Sequence, residues 1–122
     1  LRMPLALTGI GKALMLDLSE SEWQVLHEYG RQLRIGSAMM PWDDFRDRLR
    51  DYANGGSSLD LEENELGIRC VAAPIRDAGG QIVAALSVAS AVPYMLEARL
   101  HDLRPEVIAC AQSISAELGW RP

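Results

Sequence analysis

Two apolar segments joined by a short turn are the feature that most limits how this chain can fold. The segments occupy residues 68–75 and 81–89, are rich in β-branched and small apolar side chains, and flank residues 77–80, Asp-Ala-Gly-Gly. Such runs around a turn predict an antiparallel hairpin. Alternate residues of a strand face opposite sides, and both sides of the second segment are apolar. We therefore expect the hairpin to be covered on both faces.

The two faces of the second strand differ in the size of their side chains. One face is formed by Ile82, Ala84, Leu86 and Val88. The other face is formed by Val83, Ala85, Ser87 and Ala89. Because side chains on this other face are small, we expect room there for a helix or for a ligand.

Amphipathic helical patterns lie on either side of the hairpin. Thr8 is an N-cap candidate for a short helix, and Ser19 with Glu22 forms a capping box that predicts a second helix. Apolar residues then recur every three or four positions, as in helices buried on one face. Three such stripes are Trp23-Leu26-Tyr29-Leu33, Trp42-Phe45-Leu49-Tyr52 and Leu96-Leu100-Leu103-Val107-Ala111-Ile114-Leu118.

Glycine and proline residues set the limits of these helices. Gly36, Ser37 and Pro41 predict a loop after the second helix, and residues 54–58 end the third. Pro105 lies inside the last stripe, where proline removes a helical hydrogen bond. Because the stripe continues past it, we expect one kinked helix rather than two, ending at Gly119.

Length and charge narrow the class of protein. The 122 residues fit one domain, 1–122. The net charge of −5, from 12 Lys+Arg against 17 Asp+Glu, excludes an autonomous nucleic-acid binder, which needs a basic surface. No apolar run reaches the roughly 18 residues of a membrane span, and no secretory signal opens the chain. We therefore expect a cytoplasmic protein with no membrane partner and, since residue 1 is leucine, a fragment of a longer one.

The cysteines and the single lysine carry no obvious chemistry. Two cysteines are too few for a disulfide scaffold and form no zinc or redox motif. We expect Cys70 and Cys110 to be small buried hydrophobic residues in a reducing cytosol. Lys12 is the only lysine beside eleven arginines, a bias that we attribute to the genome.

Signals for a binding site are weak when taken alone. Residues 8–11, Thr-Gly-Ile-Gly, could offer free helix amides to an anion, or could mark tight packing of a helix on a strand. The acidic residues 60–65 are interpreted as a solvated loop, although paired carboxylates can act as a general acid and base. A nucleophilic Cys70–histidine pair lacks an oriented third residue. His27 and His101 belong to no ligand cluster and no nucleotide-binding loop is present, so we expect no metal, cofactor or catalysis.

Three blocks of the sequence resemble a known family. They are LTGIGKALML (residues 7–16), GIRCVAAPIRDAGGQIVAALSVA (67–89) and IACAQSISAELG (108–119), with DLEENELG (60–67) leading into the second. In this order and spacing the chain resembles the effector-binding domain of IclR-family bacterial transcriptional regulators. The resemblance spans nearly the whole chain, and its middle block is the most specific.

The resemblance implies a fold and a role. The fold is expected to be a mixed α/β (α+β) domain, GAF/profilin-like, with a curved antiparallel sheet, packed helices and an effector pocket on the concave side. Binding of a small organic acid would alter the assembly or DNA affinity of a winged helix-turn-helix module. In the family that module and the first strands of the effector domain come earlier. The chain is therefore expected to be a C-terminal portion, contacting DNA only through the missing part and forming a homodimer or homotetramer.

The resemblance also implies the positions of the effector pocket. These are Gly9, Ile10, Asp60, Cys70, Ser87 and Ala89. Ala89 replaces a serine of some members, and Ser57, after Gly56, replaces a frequent aromatic residue, so the effector's identity does not carry over. An Asp60 carboxyl beside an anion leaves three options open: a bound proton, a bridging water, or a hydroxyl group of the ligand.

Two other functions remain open at the level of sequence. The chain could be an assembly module with a vestigial pocket, using the last helix, Trp23 and Trp42, and an uncovered sheet edge would favour pairing with another copy. An enzyme is the third interpretation. Stabilisation by small carboxylates would separate sensing from assembly, and turnover of an acid would indicate the enzyme.

Overall fold

The computed structural model describes residues 5–33 and 39–122, which form four α-helices, three strands and two short 3₁₀ turns. Helices α1 to α3 precede the strands, and α4 follows them. The elements, in chain order, are a 3₁₀ turn (Leu5–Leu7), α1 (Gly9–Leu14), α2 (Glu20–Leu33), α3 (Trp42–Gly55), β1 (Ser58–Leu61), β2 (Ile68–Arg76), β3 (Ile82–Ala91), a second 3₁₀ turn (Val92–Tyr94) and α4 (Glu97–Glu117).

The strands form an antiparallel sheet in the order β1-β2-β3, with β2 in the centre. The predicted hairpin is β2 and β3, and it is confirmed. The residues we interpreted as the end of a helix and the start of an acidic loop instead form β1, where Ser58 pairs with Ala72 and Asp60 pairs with Cys70. Serine and aspartate are poor strand formers, so periodicity gave no signal for this strand.

The sheet is covered on both faces at β2, as the apolar pattern of the hairpin predicted, but not along β3, where Val83 and Val88 are 53% and 41% exposed. On one face Val71, Ala73 and Ile75 of β2 join the main core, together with Leu100 and Val107 of α4. On the opposite face α1 lies against the sheet, and a smaller cluster forms there from Ala13, Cys70, Ala72 and Ala85. The small side chains of this second face therefore make room for a helix.

The predicted caps of the first two helices are present. The Thr8 hydroxyl accepts a hydrogen bond from the Gly11 amide at 2.9 Å, at the start of α1. The Ser19 hydroxyl accepts from the Glu22 amide, and the Glu22 carboxylate accepts from the Ser19 amide, both at 3.2 Å, before α2. Of the predicted loop, Gly36 and Ser37 lie outside the described residues, and Pro41 directly precedes α3.

The buried face of α2 differs from the predicted one. Trp23 is buried, but Tyr29 and Leu33 are 44% and 45% exposed, and His27 and Gly30 are buried in their place. The His27 Nε2 atom lies 2.6 Å from the Met40 carbonyl oxygen, which gives the buried ring a hydrogen-bonding partner. A histidine satisfied in this way occupies a core position that a pattern of apolar residues does not identify.

The last helix is continuous through Pro105, as predicted, but its buried stripe is shorter than expected. Leu96, Ile114 and Leu118 are exposed, and Ser115 is buried instead. The Ser115 hydroxyl donates to the Ala111 carbonyl at 2.7 Å and accepts from the Arg76 amide at 2.9 Å.

These two bonds let the polar Ser115 side chain lie against the end of β2, where the register with β3 shifts between Ile75 and Arg76. The prediction for Cys110 is also wrong: its side chain is exposed, because it lies on the solvent side of α4, whereas Cys70 is buried as expected.

Substituting Gly11 by alanine should destabilise the fold, because a β carbon there would lie 2.1 Å from the Leu5 carbonyl oxygen, which belongs to the backbone. We expect a loss of about 1–3 kcal/mol in the free energy of unfolding, measured by urea denaturation. Gly55→Ala is the matched control. Its β carbon would meet the movable end of Arg104 at 3.2 Å, and alanine suits a helix better than glycine. Equal losses in both variants would contradict the close contact at Gly11.

Replacing Pro105 by alanine should stabilise the protein. Pro105 lies in the interior of α4 and is exposed, so its removal restores a backbone hydrogen bond without leaving a cavity. Proline in a helix interior costs about 3 kcal/mol, and its loss returns up to about 1 kcal/mol of entropy to the unfolded chain, so we expect a net gain of about 2 kcal/mol. Urea denaturation checks this, with the exposed neighbour Glu106→Ala as control. A destabilised Pro105→Ala would show that the helix depends on its proline.

Candidate functional site

Four of the six predicted site residues lie on one face of the sheet. Asp60, Cys70 and Ala89 are direct partners across the three strands, and Ser87 lies one row further along, opposite Ala72. Directly opposed residues of antiparallel strands project to the same side. Three separate segments of the chain therefore bring these side chains together on the face that α1 covers.

The other two predicted residues form the start of α1. A β carbon on Gly9 would lie 2.6 Å from the Cys70 sulfur, so only glycine allows the helix to come this close to the sheet. The Ser58 hydroxyl donates to the Gly9 carbonyl at 2.7 Å and joins the helix to β1. The Ile10 side chain is 41% exposed. The tight contact between helix and strand, one of the two interpretations of residues 8–11, is therefore present.

The helix start has limited capacity for an anion. The Gly11 amide donates to the Thr8 hydroxyl, and the Lys12 amide donates to the Thr8 carbonyl at 3.0 Å. These two amides of the first turn are therefore used within the chain. Only the amides of Gly9 and Ile10 are left as candidates for a ligand.

The acidic residues after β1 are an ordered turn and not a solvated loop, contrary to our interpretation. Asp60 is 5% exposed, and its Oδ1 atom accepts hydrogen bonds from the amides of Glu63 and Asn64 at 2.9 and 3.5 Å. Glu62 accepts from the Gly67 amide at 2.9 Å. These side chains satisfy backbone amides of the turn, and of the acidic residues in the segment only Asp60 is buried.

Burial sets the ionisation of both titratable groups on this face. It raises the pKa of the Asp60 carboxyl, an effect that the nearby Lys12 ammonium and the amide of Glu63 oppose. It also raises the pKa of the Cys70 thiol, against a hydrogen bond from Ser87 that lowers it. A buried thiol with a raised pKa is a poor nucleophile, and His27 is held at Met40. The Cys70–histidine pair is therefore not supported.

Helix α1 covers the part of this face that β2 forms and leaves the part that β3 forms more exposed. Cys70 and Ala72 lie under α1 and are buried, Ser87 is half-buried, and Ala89 is exposed. The second predicted departure from the family lies elsewhere: the Ser57 hydroxyl accepts from the Arg104 Nε atom of α4 at 2.8 Å, on the other side of the sheet. Of the two departures, Ala89 is therefore the one that changes this face.

Sequence reasoning missed the most unusual residue of the region, Lys12. Its side chain is 1% exposed, and its Nζ atom donates to the Leu59 carbonyl at 2.6 Å and to the Glu63 carboxylate at 2.7 Å. The Glu63 carboxylate also accepts from the Leu61 amide at 2.8 Å. A single lysine inside an otherwise apolar helix was the signal that could have indicated this role.

A wide groove lies away from this face. It has a volume of about 770 Å³ and runs along α2 to Trp42. Gln32 and Met39 line it on either side of residues 34–38, which are outside the described ranges, so we assign it no ligand. In the same two ranges, 5–33 and 39–122, no group of three or more His, Cys, Asp or Glu residues could hold a metal ion.

Comparison with known proteins places the chain in a family. Residues 1–116 match the family described as Bacterial transcriptional regulator IclR C-terminal. The HTH-type transcriptional regulator XynR of Escherichia coli (strain K12) is 31% identical over 120 residues, which cover 98% of this chain and 48% of XynR. The chain thus spans about half the length of the curated relatives it matches.

Solved structures agree with this match. The repressor BlcR of Agobacterium tumefaciens superposes with a TM-score of 0.86 and 26% identity, over 100% of this chain and 49% of BlcR. The inducer-binding domain of a double mutant of PobR from Acinetobacter, in complex with 3-hydroxybenzoic acid, gives a TM-score of 0.75 and 25% identity over 93% of this chain and 66% of the domain. Among residues 5–33 and 39–122, no helix has the length and apolarity that crossing a bilayer needs. The chain belongs to the IclR family of bacterial transcriptional regulators and corresponds to its C-terminal region.

Proposed function

We propose that this chain senses a small organic acid, which binds on the sheet face formed by Asp60, Cys70, Ser87 and Ala89, beside the start of α1. One observation carries the proposal. Residues predicted from three separate segments meet in register on a face that is half covered by a helix and half open. A mostly apolar lining with a few placed polar groups is the usual composition of a small-molecule site.

The polar groups of the face favour an acid that also carries a hydrogen-bond donor. The amides of Gly9 and Ile10 suit a carboxylate, and the Ser87 hydroxyl can donate or accept. The raised pKa of Asp60 favours a carboxyl that shares its proton or accepts from a ligand hydroxyl, which avoids repulsion between two anions. The PobR relative, whose inducer-binding domain holds 3-hydroxybenzoic acid, supports this class of ligand.

In the longer protein the bound acid would act on DNA binding. A ligand shifts a conformational equilibrium only by its difference in affinity for the two states. We propose that this difference alters the homodimeric or homotetrameric assembly, or the DNA affinity, of a winged helix-turn-helix module outside this chain, in the cytoplasm. Binding rather than catalysis is proposed, since Cys70 is a buried thiol with a raised pKa. We also propose that residues 1–122 are the C-terminal portion of a single effector-binding domain in the longer protein.

The test is a thermal-shift screen with acetate, pyruvate, lactate, benzoate and 3-hydroxybenzoate, which compares acids with and without a hydroxyl. An acid at 100 times its Kd stabilises the fold by about 2.7 kcal/mol, a shift of several degrees in Tm. Ser87→Ala should reduce the shift by about a third, since one hydrogen bond contributes about 1 kcal/mol. Ser90→Ala is the matched control, because Ser90 lies on the same strand but is paired with Arg69 on the other face.

Two results would contradict ligand sensing. The first is that no acid of the panel raises Tm while the longer regulator still assembles, which would favour an assembly module. The second is equal loss of the shift in Ser87→Ala and Ser90→Ala, which would place the ligand elsewhere. Turnover of any acid in the panel would indicate an enzyme.

Replacing Asp60 by asparagine should change how stability depends on pH. Because burial raises the folded-state pKa of Asp60 above the ordinary 3.8, its contribution to stability is complete below that pH. It is lost as the pH rises through the folded-state pKa. Asparagine keeps an acceptor for the Glu63 amide but does not ionise. Between pH 4 and pH 8, we expect the free energy of unfolding of Asp60→Asn, measured by urea denaturation, to increase with pH relative to that of the unmodified protein. A difference that stays flat or moves the other way would contradict it.

A further inference from the structure

An ion pair with a fully buried lysine connects α1 to the turn after β1, whose amides donate to Asp60. The Lys12 ammonium, on α1, donates to the Glu63 carboxylate at 2.7 Å and to the Leu59 carbonyl of β1 at 2.6 Å. The ring centre of Tyr52 lies 5.9 Å from the same nitrogen. With a side chain only 1% exposed, Lys12 has no access to solvent that could replace these partners.

Glu63 makes contacts on two sides. Its carboxylate accepts from Lys12 and from the Leu61 amide at 2.8 Å, and its own amide donates to the Asp60 carboxyl at 2.9 Å. A continuous series of hydrogen bonds therefore runs from Lys12 through Glu63 to Asp60. Since Asp60 pairs directly with Cys70, this series ends on the candidate ligand face.

A second contact fixes the start of the same helix. The Ser58 hydroxyl donates to the Gly9 carbonyl at 2.7 Å, so α1 is held to β1 at its first turn and again, through Lys12, one turn later. All these partners are 47 to 51 residues distant in sequence. An ion pair completed by hydrogen bonds tolerates little displacement here, because separating the charges leaves the Lys12 ammonium buried and unpaired.

We propose that Lys12 and Glu63 are positioning residues of the ligand site: their ion pair holds the start of α1 over Cys70 and fixes the turn whose amides donate to Asp60. The inference deepens the proposed sensing function and rests on it for the identity of the site. Neither residue needs to touch a ligand. Loss of the pair would let α1 move away from the sheet while the main core, on the opposite face, remains in place.

The buried Cys70 thiol reports the position of α1 without any ligand. In a Cys110→Ser background, which removes the exposed cysteine, Cys70 is 7% exposed, and movement of α1 from the sheet or unfolding of the protein would increase the access of iodoacetamide to its thiol. Lys12→Met removes the charge and keeps the volume of the side chain. We expect Lys12→Met to increase the alkylation rate of Cys70. The increase should be about tenfold larger than the increase in the unfolding equilibrium constant of the same variant, because local opening of α1 is independent of global unfolding.

Val107→Ala is the matched control. This substitution on α4 removes volume from the main core, on the face of the sheet away from α1. The alkylation rate of Cys70 should therefore rise no more than the unfolding equilibrium constant of Val107→Ala, measured in urea. The proposal is overturned if Lys12→Met behaves in the same way. Lys12 would then contribute to global stability and not to the position of α1.

A second variant keeps the test decisive if Lys12→Met does not fold. Glu63→Gln retains a neutral acceptor for Lys12 but provides only one, where the carboxylate serves both Lys12 and the Leu61 amide. We expect the same excess alkylation, of smaller size. In the double variant Lys12→Met/Glu63→Gln, the effects should not add, because either change breaks one pair. Additive effects, or no excess with Glu63→Gln, would count against the pair acting as a unit.

The alkylation experiment tests the position of α1 whether or not the sensing proposal holds. If an acid of the five-member panel raises the Tm of the unmodified protein, Lys12→Met should lower its affinity at least about tenfold, which isothermal calorimetry can measure. An unchanged affinity for that acid would overturn the positioning role in ligand binding. If no acid of the panel binds, the sensing proposal fails, while alkylation of Cys70 still decides whether Lys12 positions α1.

Discussion

The contact between α1 and the sheet is the constraint on which the rest of the site depends. It needs glycine at position 9, because Cys70 lies beneath it. Gly11 is needed for a different contact of the same helix, with the backbone of Leu5 in the first 3₁₀ turn. The contact with the sheet also needs small side chains on the strands, which Ala72 and Ala85 provide. Because the backbone of α1 lies so close to the sheet, the amides at the start of the helix lie beside side chains of all three strands.

Lys12 shows how an unfavourable group can be kept in such a contact. Removing an ammonium from water is costly, and attraction to Glu63 offsets the cost only because the Leu59 carbonyl and the Glu63 carboxylate together provide good geometry. An apolar side chain would fill the same space at lower cost. The ion pair instead specifies one position of the helix relative to the turn, which hydrophobic contact alone does not do.

The hairpin and the helices could be predicted from sequence because their signals are local. Caps at Thr8 and Ser19, the turn at residues 77–80 and the small-residue face of β3 each depend on neighbours in the chain. Strand β1 could not be predicted in this way, since it exists only through pairing with β2 and contact with α1. The buried faces of α2 and α4 were misplaced where polar residues, His27 and Ser115, find backbone partners that periodicity cannot reveal. The six site positions came from the family resemblance, and the structure places four of them on one face of the sheet and the other two, Gly9 and Ile10, at the start of α1.

The unequal cover of that face restricts how its chemistry can diversify. A larger side chain at position 70 or 72 would push against α1, and Gly9 leaves no space to accommodate it. Positions 87 and 89 lie on the open side, where Ser87 is half-buried and Ala89 is exposed. Substitutions there can alter shape and polarity while the helix stays in place. Under the proposed function, ligand preference can therefore diverge through positions 87 and 89 of β3, whereas positions 70 and 72 of β2 are restricted by the contact with α1.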